Sequence, residues 1–243
     1  MRPSLRAGDT RAATCFTSST WTRRAANVRA MGALTDDVAR LLEERSGRVV
    51  VGLTGPPGVG KSTAAEGLVA EFNSAQRDLA ALVPMDGFHL SNGQLARLGR
   101  RGRKGAPDTF DAAGFLVSLA RVRDAYQTAD VYVPQFDRAL EESVAAGLVV
   151  PAAARLVVTE GNYLALPSNG FAGARQLIDR LYYLTGADDV RRKRLLARHI
   201  AGGRSLIAAE HWVRAVDEPN ARLIAQTADR CDRAWEIDDG DWP

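Results

Sequence analysis

Residues 49–63 read VVVGLTGPPGVGKST. A run of apolar, mostly β-branched residues feeds a turn of glycine and proline, and the pattern GxxxxGK[ST] is complete in Gly55, Gly60, Lys61 and Ser62. That order predicts a strand, a phosphate-binding loop and a helix in immediate succession. A triphosphate calls for a concave ring of backbone N–H groups, the positive end of a helix, one mobile cation and one hydroxyl for Mg²⁺. The expected ATP contacts are therefore Gly55, Pro56, Pro57, Gly58, Val59, Gly60, Lys61, Ser62 and Thr63. Within them Lys61 reaches the β- and γ-phosphates and Ser62 serves the metal.

The rest of the composition sets limits. With 243 residues and 46% apolar side chains, the chain can bury a full core as one α/β domain. No run approaches the roughly 20 apolar residues that cross a bilayer, so a membrane partner is not expected. Cys15 and Cys231 lie far apart without metal-ligand spacing. They suit a reducing, cytoplasmic setting better than a disulfide framework. The net charge of +3 is local: residues 1–30 hold six arginines and one acid, and without them 26 basic face 28 acidic residues, a net −2. No nucleic-acid partner is expected on that balance.

Residues 1–30, rich in Arg, Ser, Thr and Ala, have the composition of an organelle transit peptide. The alternative is a disordered or mis-assigned extension ahead of a start at Met31, and we read the domain as 31–243. A helix at 34–45 follows, with Leu34, Val38, Leu41 and Leu42 on one face and Thr35 or Asp36 as cap. After the loop come a helix at 61–76 and a strand at 79–85 ending at Asp86. Strand, helix, strand is a βαβ unit, so the central sheet should be mainly parallel, with active groups beyond the C-terminal strand ends. Asp86 either acts there or caps the turn before Gly87; His89 either meets substrate or satisfies a loop carbonyl. Ser91 and Gln94 form a candidate capping box. Further along come a cationic loop GRRGRKG at 99–105, a helix at 111–127, and a hairpin outside the main sheet, interrupted at Pro134, with its second strand near 147–151. Strand 155–161, RLVVTEG, ends in Glu160, a Walker-B-like acid for a Mg²⁺-bound water or the acceptor. Strand 180–186, an arginine-rich helix broken at Gly202-Gly203, and a last strand at 234–238 complete the order.

GPPGVGKST, VPMDGFHL, RKGAPDTFD (103–111) and VVTEGNYLAL (157–166), in this order, resemble the phosphoribulokinase, uridine kinase and pantothenate kinase family of P-loop kinases. Over roughly 31–240 the likeness is greatest to a bacterial nucleoside/nucleotide kinase-like, or fructose transport system kinase-like, branch. The resemblance implies a P-loop three-layer fold with helices on both sheet faces, a helical lid and a hairpin, and a kinase moving the γ-phosphoryl group of ATP, with Mg²⁺, to a small hydroxylated acceptor: a sugar such as fructose, a nucleoside or pantothenate. It makes Asp86 the candidate general base. It sets His89, Arg103, Lys104, Phe110 and Asn162 about the acceptor, Arg192 and Arg198 in a lid over the phosphates, and Asn220 near the nucleotide, and it lets Phe136, Asp137 and Arg138 of the hairpin face substrate, with a plain turn as the alternative. A homodimer stays open.

Two other classes compete. A GTPase switch lacks its guanine-reading NKxD here, since Lys61, Lys104 and Lys193 are the lysines after residue 30, and the DxxG match at Asp111–Gly114 falls on a helix. A transporter-coupled ATPase is suggested by LSNGQ at 90–94, but about 65 residues separate it from Glu160 where such a signature lies close to the second acidic strand.

Overall fold

The computed structural model describes residues 32–237. Strand β1 (Val49–Thr54) is buried along its whole length, and its side chains alternate between two cores. Val49, Val51 and Leu53 point to one side, against helix α1 (32–44) and helix α2 (Lys61–Ala75); Val50 points to the other. The same alternation recurs in β2 (Ala80–Pro84), β5 (Leu156–Glu160) and β6 (Arg180–Thr185). Strands buried on both faces belong to a parallel sheet with helices above and below. Each fully buried Val or Leu contributes about 1.5–3 kcal/mol. The order β2-β5-β1-β6-β7, closed by β7 (Arg233–Glu236), is parallel throughout. The second core lies under helix α4 (Ala112–Asp124), with Phe115, Leu119 and Val122 beneath it. The expected α/β three-layer architecture is therefore present.

Register fixes the functional edge. Leu53 of β1 pairs with Glu160 of β5, and Glu160 pairs with Pro84 of β2, so the three central strands end in one row. The phosphate loop leaves that row after Thr54, and Asp86 stands two residues beyond it on β2. Side-chain alternation permits no single-residue slip here, because a slip would turn both cores inside out.

Several boundaries differ from expectation for identifiable reasons. Helix α1 already spans residue 32, so Thr35 and Asp36 lie inside it and cap nothing. The extension at 1–30 and Met31 are outside the described residues. β2 stops at Pro84 because Met85–Phe88 turn as a 3₁₀ segment, with His89 N–H donating to Asp86 O at 3.2 Å. Helix α3 (Asn92–Arg97) opens with Ser91 accepting from Gln94 N–H, but the reciprocal arm of the capping box is missing: Gln94 Oε1 accepts from Arg97 instead. LSNGQ is thus a helix start.

The hairpin is longer than expected. β3 (Val131–Asp137) runs through Pro134 and pairs antiparallel with β4 (Glu142–Val150), the register shifting between Val133 and Gln135. A bulge is where a strand tolerates a proline. The Pro134 carbonyl rests on Gly87, where an added Cβ would come within 2.2 Å of it. The chain after Asp86 therefore needs glycine so that the hairpin can close over it.

Candidate active site

Phosphate loop, strand ends and hairpin meet around one cleft of about 720 Å³. On the loop wall, Gly58 and Gly60 have φ of +79° and +109°, which L side chains rarely adopt. These turns aim the main chain at the N-terminus of α2, whose first turn carries no acid. That is the electrostatic preparation an anion needs. Lys61 folds back so that Nζ donates to Pro56 O at 3.0 Å, and Ser62 donates its hydroxyl to Glu160 Oε1 at 3.1 Å. Pro57, Gly58, Gly60, Lys61, Ser62 and Thr63 line the cleft. Gly55 instead packs on the Leu184 carbonyl, and the Val59 side chain is in the core.

Ser62 and Glu160 offer oxygen donors only, the kind Mg²⁺ selects. Among the described residues no group of three His, Cys, Asp or Glu side chains could hold a metal by itself. The residues present fit Mg²⁺, and Ser62 and Glu160 would be the side chains to hold it.

The facing wall carries Asp86, His89, Lys104, Phe110, Phe136, Arg138 and Asn162. His89 Nδ1 lies 2.8 Å from Asp86 O, and its ring packs tilted against Phe110 and Phe136, with centroids 4.0 and 4.9 Å away. Arg138, on the hairpin turn, reaches to 3.8 Å of the Asp86 carboxylate. Lys104 Nζ donates to Asn92 Oδ1 at 3.1 Å and lies 5.0 Å over the Phe136 ring. Helix α5 (Asp188–Ala201) closes the mouth with Arg194, Arg198 and His199.

A Schizosaccharomyces pombe protein named as a putative uridine kinase is 36% identical to this chain over 161 residues, which cover 64% of this chain and 68% of that protein. The Escherichia coli protein YggC is 36% identical over 180 residues, 73% of each chain. The chain belongs to the phosphoribulokinase, uridine kinase and pantothenate kinase family of P-loop kinases. Its fold matches the crystal structure of a putative fructose transport system kinase from Silicibacter sp. TM1040 at a TM-score of 0.76 and 35% identity, over 84% of this chain and 98% of that one. No family model matches the sequence. The comparisons make this an ATP-dependent P-loop kinase by family.

Within this kinase the charges in the cleft shift one another. Burial lowers Lys61 to about 8, against the pull of Glu160 and Asp86. Burial, then the neighbouring Asp86, raise Glu160 to about 7, although Lys61 and Ser62 oppose it. Burial alone would raise Asp86, but His89, Arg138, Arg198 and Lys61 outweigh it and hold the carboxyl below its usual range. Burial also lowers His89. Near neutral pH that ring is uncharged, and Arg138, Arg198 and Lys61 carry the hold on Asp86.

Two arginines expected at the site also stand outside the kinase cleft, as Gly55, Pro56 and Val59 do. Arg103 forms a two-pronged ion pair with Asp108, which also receives Arg100, so it braces its own loop. Arg192 faces away and pairs with Glu218 at 3.2 Å and Asp188 at 3.8 Å. Asn220 reaches the cleft from helix α7 (Glu218–Ala225), but its Nδ2 donates to Gly105 O at 3.2 Å, at the end of the cationic loop. Asp137 accepts from Ala139 N–H and Leu140 N–H and so caps the hairpin turn, while its neighbours Phe136 and Arg138 face inward. Residues beyond those expected are Arg194, His199, Arg204, Trp212 and Asp217. One signal was available: Arg191, Arg194, Leu195, Arg198 and His199 follow helical i, i+3, i+4, i+7, i+8 spacing, and Arg192 falls off that stripe.

Proposed function

We propose that this kinase transfers the γ-phosphoryl group of ATP to a hydroxyl of a small metabolite. One observation carries the reading: Asp86 faces the phosphate loop across the same cleft that receives Lys61, Ser62 and Glu160. In the reaction an acceptor oxygen bonds to the γ-phosphorus, the bond from that phosphorus to its bridging oxygen breaks, ADP leaves, and the acceptor proton must go elsewhere. Asp86 takes that proton, since it is held ionised and stands at the strand end nearest the acceptor wall. The loop amides and Lys61 bind and orient the phosphates, and Arg198 and Arg194 bring positive charge from the lid as charge builds on the transferring group. Ser62 and Glu160 would hold Mg²⁺, which would supply neutralisation of phosphate charge. Phe110, His89 and Phe136 form an aromatic wall against which the acceptor lies, and Asn162 and Lys104 supply polar contacts at its rim.

The acceptor we propose first is a sugar such as fructose, supported by the name of the Silicibacter protein; a nucleoside is supported by that of the S. pombe relative. No nucleic-acid or membrane partner enters this reading. The test is incubation with Mg²⁺-ATP and a metabolite extract, followed by mass spectrometry. A metabolite gaining one phosphoryl group in step with ADP is expected. ADP formed with no phosphorylated product would overturn the kinase assignment in favour of an ATPase.

A further inference from the structure

The last turn of α5 carries a buried pair that the transfer chemistry above does not use. His199 Nε2 lies 2.7 Å from Asp217 Oδ2, and the two side chains are only 10% and 9% exposed. On the other side of the ring, Arg204 Nη1 lies 3.1 Å from Nδ1. A guanidinium only donates, so Nδ1 accepts; the ring is then neutral and its one proton sits on Nε2, donated to Asp217. Arg204 also lies over the Trp212 ring, 4.1 Å from its centroid, where helix α6 (Leu206–Trp212) ends. Asp217 closes a single π-helical turn, Val213–Asp217. Such a one-turn insertion resets which way the following side chains point, and it recurs at functional sites.

The next residue, Glu218, takes the other end of the same helix. It receives Arg191, which also donates to Pro57 O of the phosphate loop at 3.3 Å. Two consecutive carboxylates therefore fasten both ends of α5, one end directly onto the nucleotide loop. Arg194 and Arg198 lie between the fastened ends, and Arg204 lies just past the Gly202-Gly203 turn; all three line the cleft.

We propose that His199 and Asp217 are positioning residues for phosphoryl transfer: the neutral His199 ring, bridging Arg204 and Asp217, sets where the lid cations Arg198 and Arg204 stand over the phosphates. This rests on the kinase reading above. The physical consequence is a split. The ground-state grip on ATP comes from loop amides and Lys61, which this bridge does not touch. Charge stabilisation during transfer comes from cations whose placement matters to within about 1 Å. Loosening the bridge slows turnover without weakening nucleotide binding.

Two measurements on the full chain test it. The first is the ¹⁵N spectrum of the imidazoles, of which the sequence has three: near pH 7.5 His199 should show an acceptor-type Nδ1 and a protonated Nε2, and a charged ring or the opposite tautomer overturns the bridge whatever the activity. The second is turnover of Mg²⁺-ATP in the presence of a metabolite extract, read as phosphorylated product formed in step with ADP. His199→Leu should lower kcat about tenfold with KM for ATP within about twofold. His199→Gln, whose amide can accept from Arg204 and donate to Asp217, should return kcat to within about threefold of the unmodified chain. An unchanged kcat in His199→Leu, a change carried by KM, or a glutamine variant no better than leucine overturns the proposal. If the leucine variant does not fold, His199→Asn replaces it, since the shorter amide cannot span both partners. An unmodified chain that does not turn over ATP overturns the kinase reading itself, and this inference with it.

Discussion

The two walls of the cleft are built in different ways. The nucleotide wall is one contiguous stretch, residues 55–63, made chiefly of backbone between a buried strand and a helix. The acceptor wall is assembled from the turn after β2, the loop at 104–110, the hairpin, the turn after β5 and the lid, fragments as much as 130 residues apart. Local geometry makes the first wall; only tertiary contacts make the second. It follows that substitutions in the first should act on nucleotide and turnover together, and those in the second on acceptor and turnover with nucleotide binding spared.

The strongest way to break that contrast is Lys61→Ala. It should abolish transfer, a loss of roughly 1,000-fold or more, and weaken ATP binding, measured by turnover and by titration with Mg²⁺-ATP. Asp86→Asn should leave the ATP dissociation constant unchanged while slowing transfer at least ~100-fold. Full transfer by that variant would remove Asp86 from the chemistry.

The pH dependence of the ligand-free chain sharpens the nucleotide side. Glu160 is raised by burial and by Asp86 from 4.5 to about 7. The folded state therefore holds its proton more tightly than the unfolded chain, and the stability this contributes is full below about 4.5 and lost as pH rises through about 7. Lys61, lowered by burial from 10.5 to about 8, acts in a separate window: its contribution is present above 10.5 and lost as pH falls through 8. Thermal melts without ligand should show Tm falling between pH 4.5 and 7, and Glu160→Gln should remove that fall.

Gly87→Ala tests whether the acceptor wall depends on the hairpin seat. A methyl group 2.2 Å from the Pro134 carbonyl must push the hairpin off the turn. A loss of about 1–3 kcal/mol in stability is expected by denaturant melts, with ATP affinity retained. The smallest effect belongs to Arg192→Ala. Because its side chain pairs with Glu218 and Asp188 outside the cleft, turnover should stay within about twofold of the unmodified chain. A larger drop would return Arg192 to the lid.

The parts of this protein legible in its residues were those in which a few neighbours along the chain dictate one geometry. Val49–Thr54 alternates into two cores, Gly58 and Gly60 turn where side chains would resist, and Asp86 and Glu160 stand at strand ends because buried parallel strands have only one register that keeps both faces apolar. Which arginine serves the site was settled differently. Arg103 and Arg192 resemble Arg138 and Arg204 in the sequence, and apart from the helical stripe that leaves Arg192 out, nothing nearby in the chain tells them apart. Asp108 and Glu218 claim the first two, while the hairpin and the His199–Asp217 pair turn the other two toward the cleft. A charged side chain on a long flexible stem goes where its partner is, and the partner is brought by the fold.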